Sequence, residues 1–380
     1  MKSKLRVTIV VALVAVVAAV AAAANNSSAA TTRAAKKTTI TVYVSGDVNV
    51  KNLYTGTLIP GFQKAYPNDK INMIFSEHGV NDSIELGKIG AAVKQRTWPG
   101  VDIADAGFAI QGALDGIMTP INATKIPNMA KVDKKLLTPV KGAAMPYRGS
   151  SVVLAYNTDH VPNPPKTLDG LIAWIKANPG KFTYNSPNTG GSGHSFVETV
   201  LSKYVPANVQ TQMVNGYVPD LESNWKQGFD VLKSLKSSIY QGVYPNGNQE
   251  VLNMLGKGLI WVAPVWSDQA LSAKASGLLG PSIHLSQISS PSFNGGAAYM
   301  AIPKTARNKT EVYKFANFIL QSKMQVAIVN AMSGYPAVNV KYLPSSVQTK
   351  FSSLQANTLR QSYSAKMAND VNAEWQQTVP

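Results

Sequence analysis

The stretch with the clearest chemical potential is Ser186-Pro187-Asn188-Thr189-Gly190-Gly191-Ser192-Gly193, a glycine-rich loop set between a short apolar segment and a helix-forming run. The run opens with Ser195-Phe196-Val197-Glu198, the spacing of a capping box. Backbone N–H groups at such a terminus point outward, and the helix dipole favours an anion there. The same loop reads equally as a plain strand-to-helix turn that needs small residues for tight packing. Other chemistries fail on spacing. Gly190-Gly191-Ser192-Gly193-His194 puts histidine where a hydrolase nucleophile elbow needs its last glycine. No Walker sequence and no H-E-x-x-H occurs. The four histidines, His78, His160, His194 and His284, are too scattered for a metal cluster, and cysteine is absent. That excludes thiolate metal sites, thiol nucleophiles and a lipid-accepting cysteine. Asp102 with Asp105, or Glu77 with Asp82, could pair in a cleft, although isolated carboxylates more often serve as caps or solvated charges.

What positions these residues is a long chain of 380 residues, enough for two compact units or one large α/β body. Residues 1–24 read as a signal peptide: Lys2, Lys4 and Arg6 precede the apolar run Val7–Ala23, and Ala22-Ala23-Ala24 supply a small-residue cleavage pattern. The bland alternative is an uncleaved anchor. Residues 25–37 read as a flexible leader, polar and without apolar periodicity. The formal charge is +16; removing three of the 36 basic residues leaves 33 against 20 acidic ones, a balance of +13. The basic residues are scattered and never interleave with aromatics as a nucleic-acid surface would. The scarcity of acids suits an acidic exterior, where paired carboxylates are what acid titrates.

From Thr38 the pattern alternates strands and helices. Thr39–Val44, Lys70–Phe75 and Val101–Ala104 read as strands, with helices expected at 57–66, capped by Thr57, and at 81–96. Strand, helix, strand, helix, strand predicts a mostly parallel sheet. Further on, Val152–Tyr156, Phe182–Tyr184, Leu259–Val262 and Ala297–Ile302 read as strands. Thr167 caps a helix over 168–178, and Thr310 caps one whose Val312, Phe315, Ala316 and Ile319 share a face.

Several ordered segments carry a resemblance. They are Phe62-Gln63-Lys64-Ala65-Tyr66-Pro67-Asn68, Val101-Asp102-Ile103-Ala104, Met145–Gly149 with Val152–Asn157, and Pro165-Lys166-Thr167-Leu168 through Trp174. Ala301-Ile302-Pro303-Lys304, Ala316–Leu320, Gln325 and Gly334-Tyr335-Pro336-Ala337 complete the set. Together, over about residues 38–340, the chain resembles the extracellular solute-binding proteins of ABC importers, near polyamine-, iron- and thiamine-binding members. The resemblance implies an α/β fold of two lobes joined by two crossing strands. Residues 38–145 with 298–380 would form lobe one and residues 150–290 lobe two, with segments 146–151 and 290–297 as hinges. A solute would sit where loops at the carboxyl ends of strands converge.

Mapping those loops gives the candidate ligand-binding residues. Ser45 and Gly46 follow the first strand, Ser76, Glu77 and His78 the second, and Asp105 the third. Tyr147 and Arg148 lie at the first crossing. Ser186, Thr189, Gly190, Gly191 and Ser192 belong to the glycine-rich loop. Trp266, Ser267 and Asp268 follow the Leu259–Val262 segment, and Tyr335 precedes Pro336. Two ligand chemistries stay open. Thr189–Ser192 with Arg148 would hold an anionic group, whereas Glu77, Asp105 and Asp268 would select a cation, with Trp266 stacking on it. The expected function is non-enzymatic capture of a small solute in the periplasm and delivery to a membrane ABC permease, by a monomer needing no cofactor, no metal and no nucleic acid. The alternative is a secreted, phosphatase-like hydrolase using the same cleft.

Overall fold

The structure, a computed structural model, describes residues 37–350 and 359–380. The expected signal peptide at 1–24 and all of the leader but Lys37 lie outside the described residues. Strands β1 (Thr38–Gly46), β2 (Asp69–Glu77) and β3 (Ile103–Asp105) pair in parallel, with β1 at the centre. Here the β-branched, apolar run of the sequence is buried on both faces: Ile40, Val42 and Val44 are fully buried and Thr41 and Tyr43 nearly so. Beyond β3 the pairing turns antiparallel, through β7 (Gly295–Ala301), β4 (Met145–Asn157) and β5 (Val262–Trp266). Strands β6 (Ile283–Ser286) and β8 (Tyr335–Pro336) also pair with β4. The sheet is therefore mixed rather than mostly parallel, because β4 and β7 each run between two bodies instead of closing another βαβ unit. The first half of β4 pairs with β7 and β8, and its second half with β5 and β6.

Of four apolar clusters among the described residues, the two largest are joined by these crossing strands. The first gathers Val42, Phe62, Ile103, Met145, Phe315 and Ile328. The second gathers Leu154, Leu171, Phe196, Val200, Trp225 and Leu232. Tyr363, Met367, Val371 and Trp375 also belong to the second core. The C-terminal helix Ala365–Thr378, expected with lobe one, thus packs into the other body: Trp375 donates its indole N–H to the Tyr184 hydroxyl at 3.0 Å. Its apolar residues carry no mark of which core they enter, so periodicity could not assign them.

Local expectations hold where local chemistry decides. Thr167 caps Leu168–Ala177 by accepting from Gly170 N–H at 3.1 Å, and Val312, Phe315, Ala316 and Ile319 are buried on helix Lys309–Ile319. Four expectations fail, the first being that Thr310 caps Lys309–Ile319: Asn308 is its N-cap and Thr310 lies inside the helix. The helix placed at 57–66 begins at Val48 and runs, through a π-helical turn at Tyr54–Leu58, to Ala65, so Thr57 lies inside it rather than capping it. Phe182–Tyr184 forms only isolated bridges, and β5 starts at Val262 instead of Leu259. No helix among the described residues is long and apolar enough to cross a membrane.

Candidate functional site

The carboxyl ends of β1, β2 and β3 deliver Ser45, Glu77 and Asp105 to one end of the first body. Asp82, at the start of helix Asp82–Gln95, is tied to the end of β1, accepting from the Tyr43 hydroxyl and the Ser45 hydroxyl, each at 2.9 Å. Burial pushes its carboxyl up from the usual range, against those bonds. Ser76 Oγ accepts from Asn81 N–H, whereas Glu77 is exposed.

At the start of β4 four predicted residues meet. Asp105 Oδ2 accepts from Tyr54 at 3.0 Å and from Tyr147 at 2.6 Å. Arg148 Nε donates to the Tyr147 hydroxyl at 2.8 Å, and its Nη1 stands 3.4 Å from Asp268 Oδ2. Ser150 completes the Asp268 shell with a 2.5 Å bond. Asp105 and Asp268 are raised by burial, which outweighs Arg148 and the hydroxyl donors. Burial alone would lower Arg148, but Tyr147, Asp268 and Asp105 hold it above its ordinary value. Ser267 lies 3.3 Å from Ser150, and the Tyr335 hydroxyl 3.2 Å from that of Ser151. The arrangement is one buried polar chain running from the first body into the second.

The glycine-rich loop forms a second group and differs from expectation. Its helix starts at Gly191, with Gly190 as N-cap, so Ser195 and Glu198 lie in the helix interior rather than in a capping box. Ser195 donates to Asn294, and Glu198 is fully buried against His194 at 3.1 Å and Asn294 at 2.7 Å. The terminal N–H donors are satisfied inside the protein: Ser192 N–H by Asn248 Oδ1 at 3.0 Å, Gly193 N–H by Asn185 Oδ1 at 2.9 Å. The Ser192 hydroxyl bonds the same two asparagines, and the His194 ring takes Asn372 and Glu198, so no Ser–His pair forms here. A Cβ on Gly193 would lie 1.8 Å from the Asn185 carbonyl oxygen, and one on Gly191 would lie 2.9 Å from the Trp266 indole. Close packing is why these glycines are needed. Trp266 is thereby held half-buried against the loop. Thr189 donates to the Ser186 carbonyl and accepts from Gly247 N–H.

The two groups are linked through Asp47 and Asn248, which loop position alone did not single out, together with the expected loop residue His78. Asn248 Nδ2 donates to Asp47 Oδ2 at 2.5 Å, and Asp47 Oδ1 lies 2.6 Å from His78 Nδ1. Asp47 directly follows the predicted Gly46, and Asn248 follows the turn-forming Asn246-Gly247 pair. Those were the available signals. Nothing in one dimension says that positions 47 and 248 meet.

The profile of the family described as bacterial extracellular solute-binding protein matches residues 57–353. Protein YnjB of Escherichia coli is 33% identical over 90 residues, 22% of this chain; the match spans about a quarter of that protein, 23% of its length. An extracellular solute-binding protein from Bordetella parapertussis superposes with a TM-score of 0.66 at 16% identity, covering 90% of this chain and 99% of the other. The periplasmic binding protein AfuA from Actinobacillus pleuropneumoniae, with fructose-6-phosphate bound, gives 0.65 at 15% over 90% and 99%. The spermidine/putrescine ABC transporter substrate-binding protein PotD from Streptococcus pneumoniae gives 0.63 at 15% over 90% and 100%. These likenesses show the two-lobe α/β binding-protein fold. They span a phosphorylated sugar and polyamines, so the fold does not dictate ligand charge.

Proposed function

Because the chain belongs to the bacterial extracellular solute-binding protein family, we propose that it captures an organic cation between its two bodies and delivers it to an ABC permease. Binding is non-covalent. The exported protein works as a monomer in the periplasm after loss of residues 1–24. The moving lobes are residues 38–145 with 298–347, and residues 152–289 with 360–380. Segments 146–151 and 290–297 bend between them, a hinge closure of the kind such proteins use.

The observation that carries the cationic reading is where the charges stand. Donors that would receive an anion are already engaged: the Ser192 and Gly193 N–H groups by Asn248 and Asn185, and Arg148 by Tyr147 and Asp268. Asp82 is answered by two hydroxyls and the Gly107 N–H, Asp105 by two hydroxyls and by Arg148, a single guanidinium that it shares with Asp268, so carboxyl groups outnumber cations here, and Glu77 stands exposed nearby. A chain with only 20 acidic residues thus gathers several at this end, and a cleft of one sign focuses the field on an opposite charge. Trp266 supplies a half-buried aromatic face on which an ammonium can stack, worth about 0.5–2 kcal/mol.

The test is a thermal-shift screen of linear polyamines and quaternary ammonium compounds against phosphate esters and carboxylates at one ionic strength. A ligand at about 100 times its Kd adds roughly 2.7 kcal/mol to stability. Stabilisation by the amines is expected. Stabilisation by the anions alone defeats the cationic reading and restores Arg148 as the ligand's partner.

A further inference from the structure

The contact between Asp47 and Asn248 is built with more constraint than a chance meeting of two surfaces. Asn248 is 6% exposed and Asp47 8%. All the hydrogen-bonding atoms of the Asn248 amide that matter have fixed partners. Its Oδ1 accepts from Ser192 N–H at 3.0 Å and from the Ser192 hydroxyl at 2.7 Å, which orients the amide so that Nδ2 faces Asp47 Oδ2 at 2.5 Å. Asp47 is fixed in turn by His78. Gly247, just before Asn248, has φ 80°, a conformation that favours glycine, and a Cβ there would stand 2.8 Å from the His78 ring. Gly247 N–H bonds Thr189 of the glycine-rich loop.

We propose that Asn248 is a positioning residue that latches the closed form: the glycine-rich helix terminus spends its free N–H donor on aiming this amide across the cleft at Asp47, not on holding the solute. The inference rests on the two-lobe reading above but is independent of the ligand's charge. Closure then has a favourable contribution that needs no ligand, so the empty protein samples the closed form, and the latch sets affinity by raising the fraction competent to hold a solute.

The chain has no cysteine, so Lys94→Cys and Lys257→Cys, both exposed and on opposite lobes, give a unique pair for spin labels. Distances are read on the ligand-free, full mature chain. The unaltered latch should give a population at the short, closed distance. Asn248→Asp sets a second carboxyl group against Asp47 and should deplete that population about tenfold or more. The swap Asp47→Asn with Asn248→Asp keeps one amide and one carboxyl and should restore it. Should Asn248→Asp not fold, Asp47→Ala, which acts from the other lobe, must produce the same opening. An unchanged distance distribution in a folded Asn248→Asp or Asp47→Ala chain overturns the latch. So does a swap that folds and stays open. If the distances behave as expected while the amine screen fails, the latch stands and only the ligand reading falls.

Discussion

Two buried clusters, each holding one arginine, are built to opposite ends. In the chain Asp105–Tyr147–Arg148–Asp268 two acids face one guanidinium, and burial keeps both carboxyls raised. In the second body Glu198 stands alone among donors: His194, Arg360, Asn294 Nδ2 and the Tyr363 N–H all converge on it. There burial would raise Glu198, but His194 and Arg360 overcome it and hold the carboxyl below its ordinary value. His194 is raised despite its own burial, since Glu198 and Asn372 face its two nitrogens. The first cluster is left with two carboxyl groups to one guanidinium. The second is satisfied and fastens the C-terminal segment to the second body. An excess of one sign at a buried site is costly for folding, and that excess is what the proposed cation would offset.

The largest expected effect falls on the balanced cluster. Glu198→Ala strands Arg360 and His194 around a buried gap and should destabilise the protein by about 3–5 kcal/mol in urea unfolding. A loss under 1 kcal/mol would mean that the cluster does not hold the C-terminal segment. The next tests sharpen the contrast at the cleft. Asp268→Asn should weaken a bound amine by about 1.5–3 kcal/mol, roughly tenfold to 150-fold by calorimetry, whereas Arg148→Ala should leave it bound at least as well. The reverse pattern would reassign the cleft to anions. Third, Gly193→Ala drives a methyl group into the Asn185 carbonyl and should cost about 1–3 kcal/mol, while Gly191→Ala, which meets only the edge of the Trp266 ring, should cost less. Equal effects would show that the loop is not held by packing.

The smallest effect is the pH profile. Glu198, lowered in the folded state, contributes stability above about pH 4.5 that is lost as pH falls through its folded value. His194, raised, contributes below about pH 6.5 and loses its contribution as pH rises through its folded value. Their joint contribution is full between those limits. Asp82, Asp105 and Asp268, all raised, also favour the acid side. Melting temperatures from pH 3 to 8 should peak in mildly acid solution, as the scarcity of carboxylates suggests for an acidic habitat, and His194→Gln should flatten the alkaline limb. A steady rise from pH 5 to 8 contradicts this.

The parallel strands β1 and β2, the helix capped at Thr167 and the buried face of Lys309–Ile319 were legible from residues 38 onward, because each depends on a two- or 3.6-residue repeat or on a cap three residues away. The loop positions were legible too: Ser45, Glu77, Asp105, Arg148 and Asp268 follow from where strands begin and end. Their partners were not. Ser195-x-x-Glu198 satisfies the capping pattern, yet Asn185 and Asn248 supply stronger acceptors to donors earlier in the chain, and the helix starts four residues sooner.

Sequence by itself determined the elements, their order and which residues would stand at the ends of strands, since those follow from short-range sterics and periodicity. Only the tertiary structure decided that Arg148 is answered by Asp268, that Trp375 enters the second core and that Asn248 reaches Asp47. Those pairs lie 120 to 201 residues apart where they are hydrogen-bonded, and polar or apolar character alone does not encode a partner at that separation. The partner is chosen when β4 and β7 fix how the two bodies face each other, and the charges then settle by burial and distance.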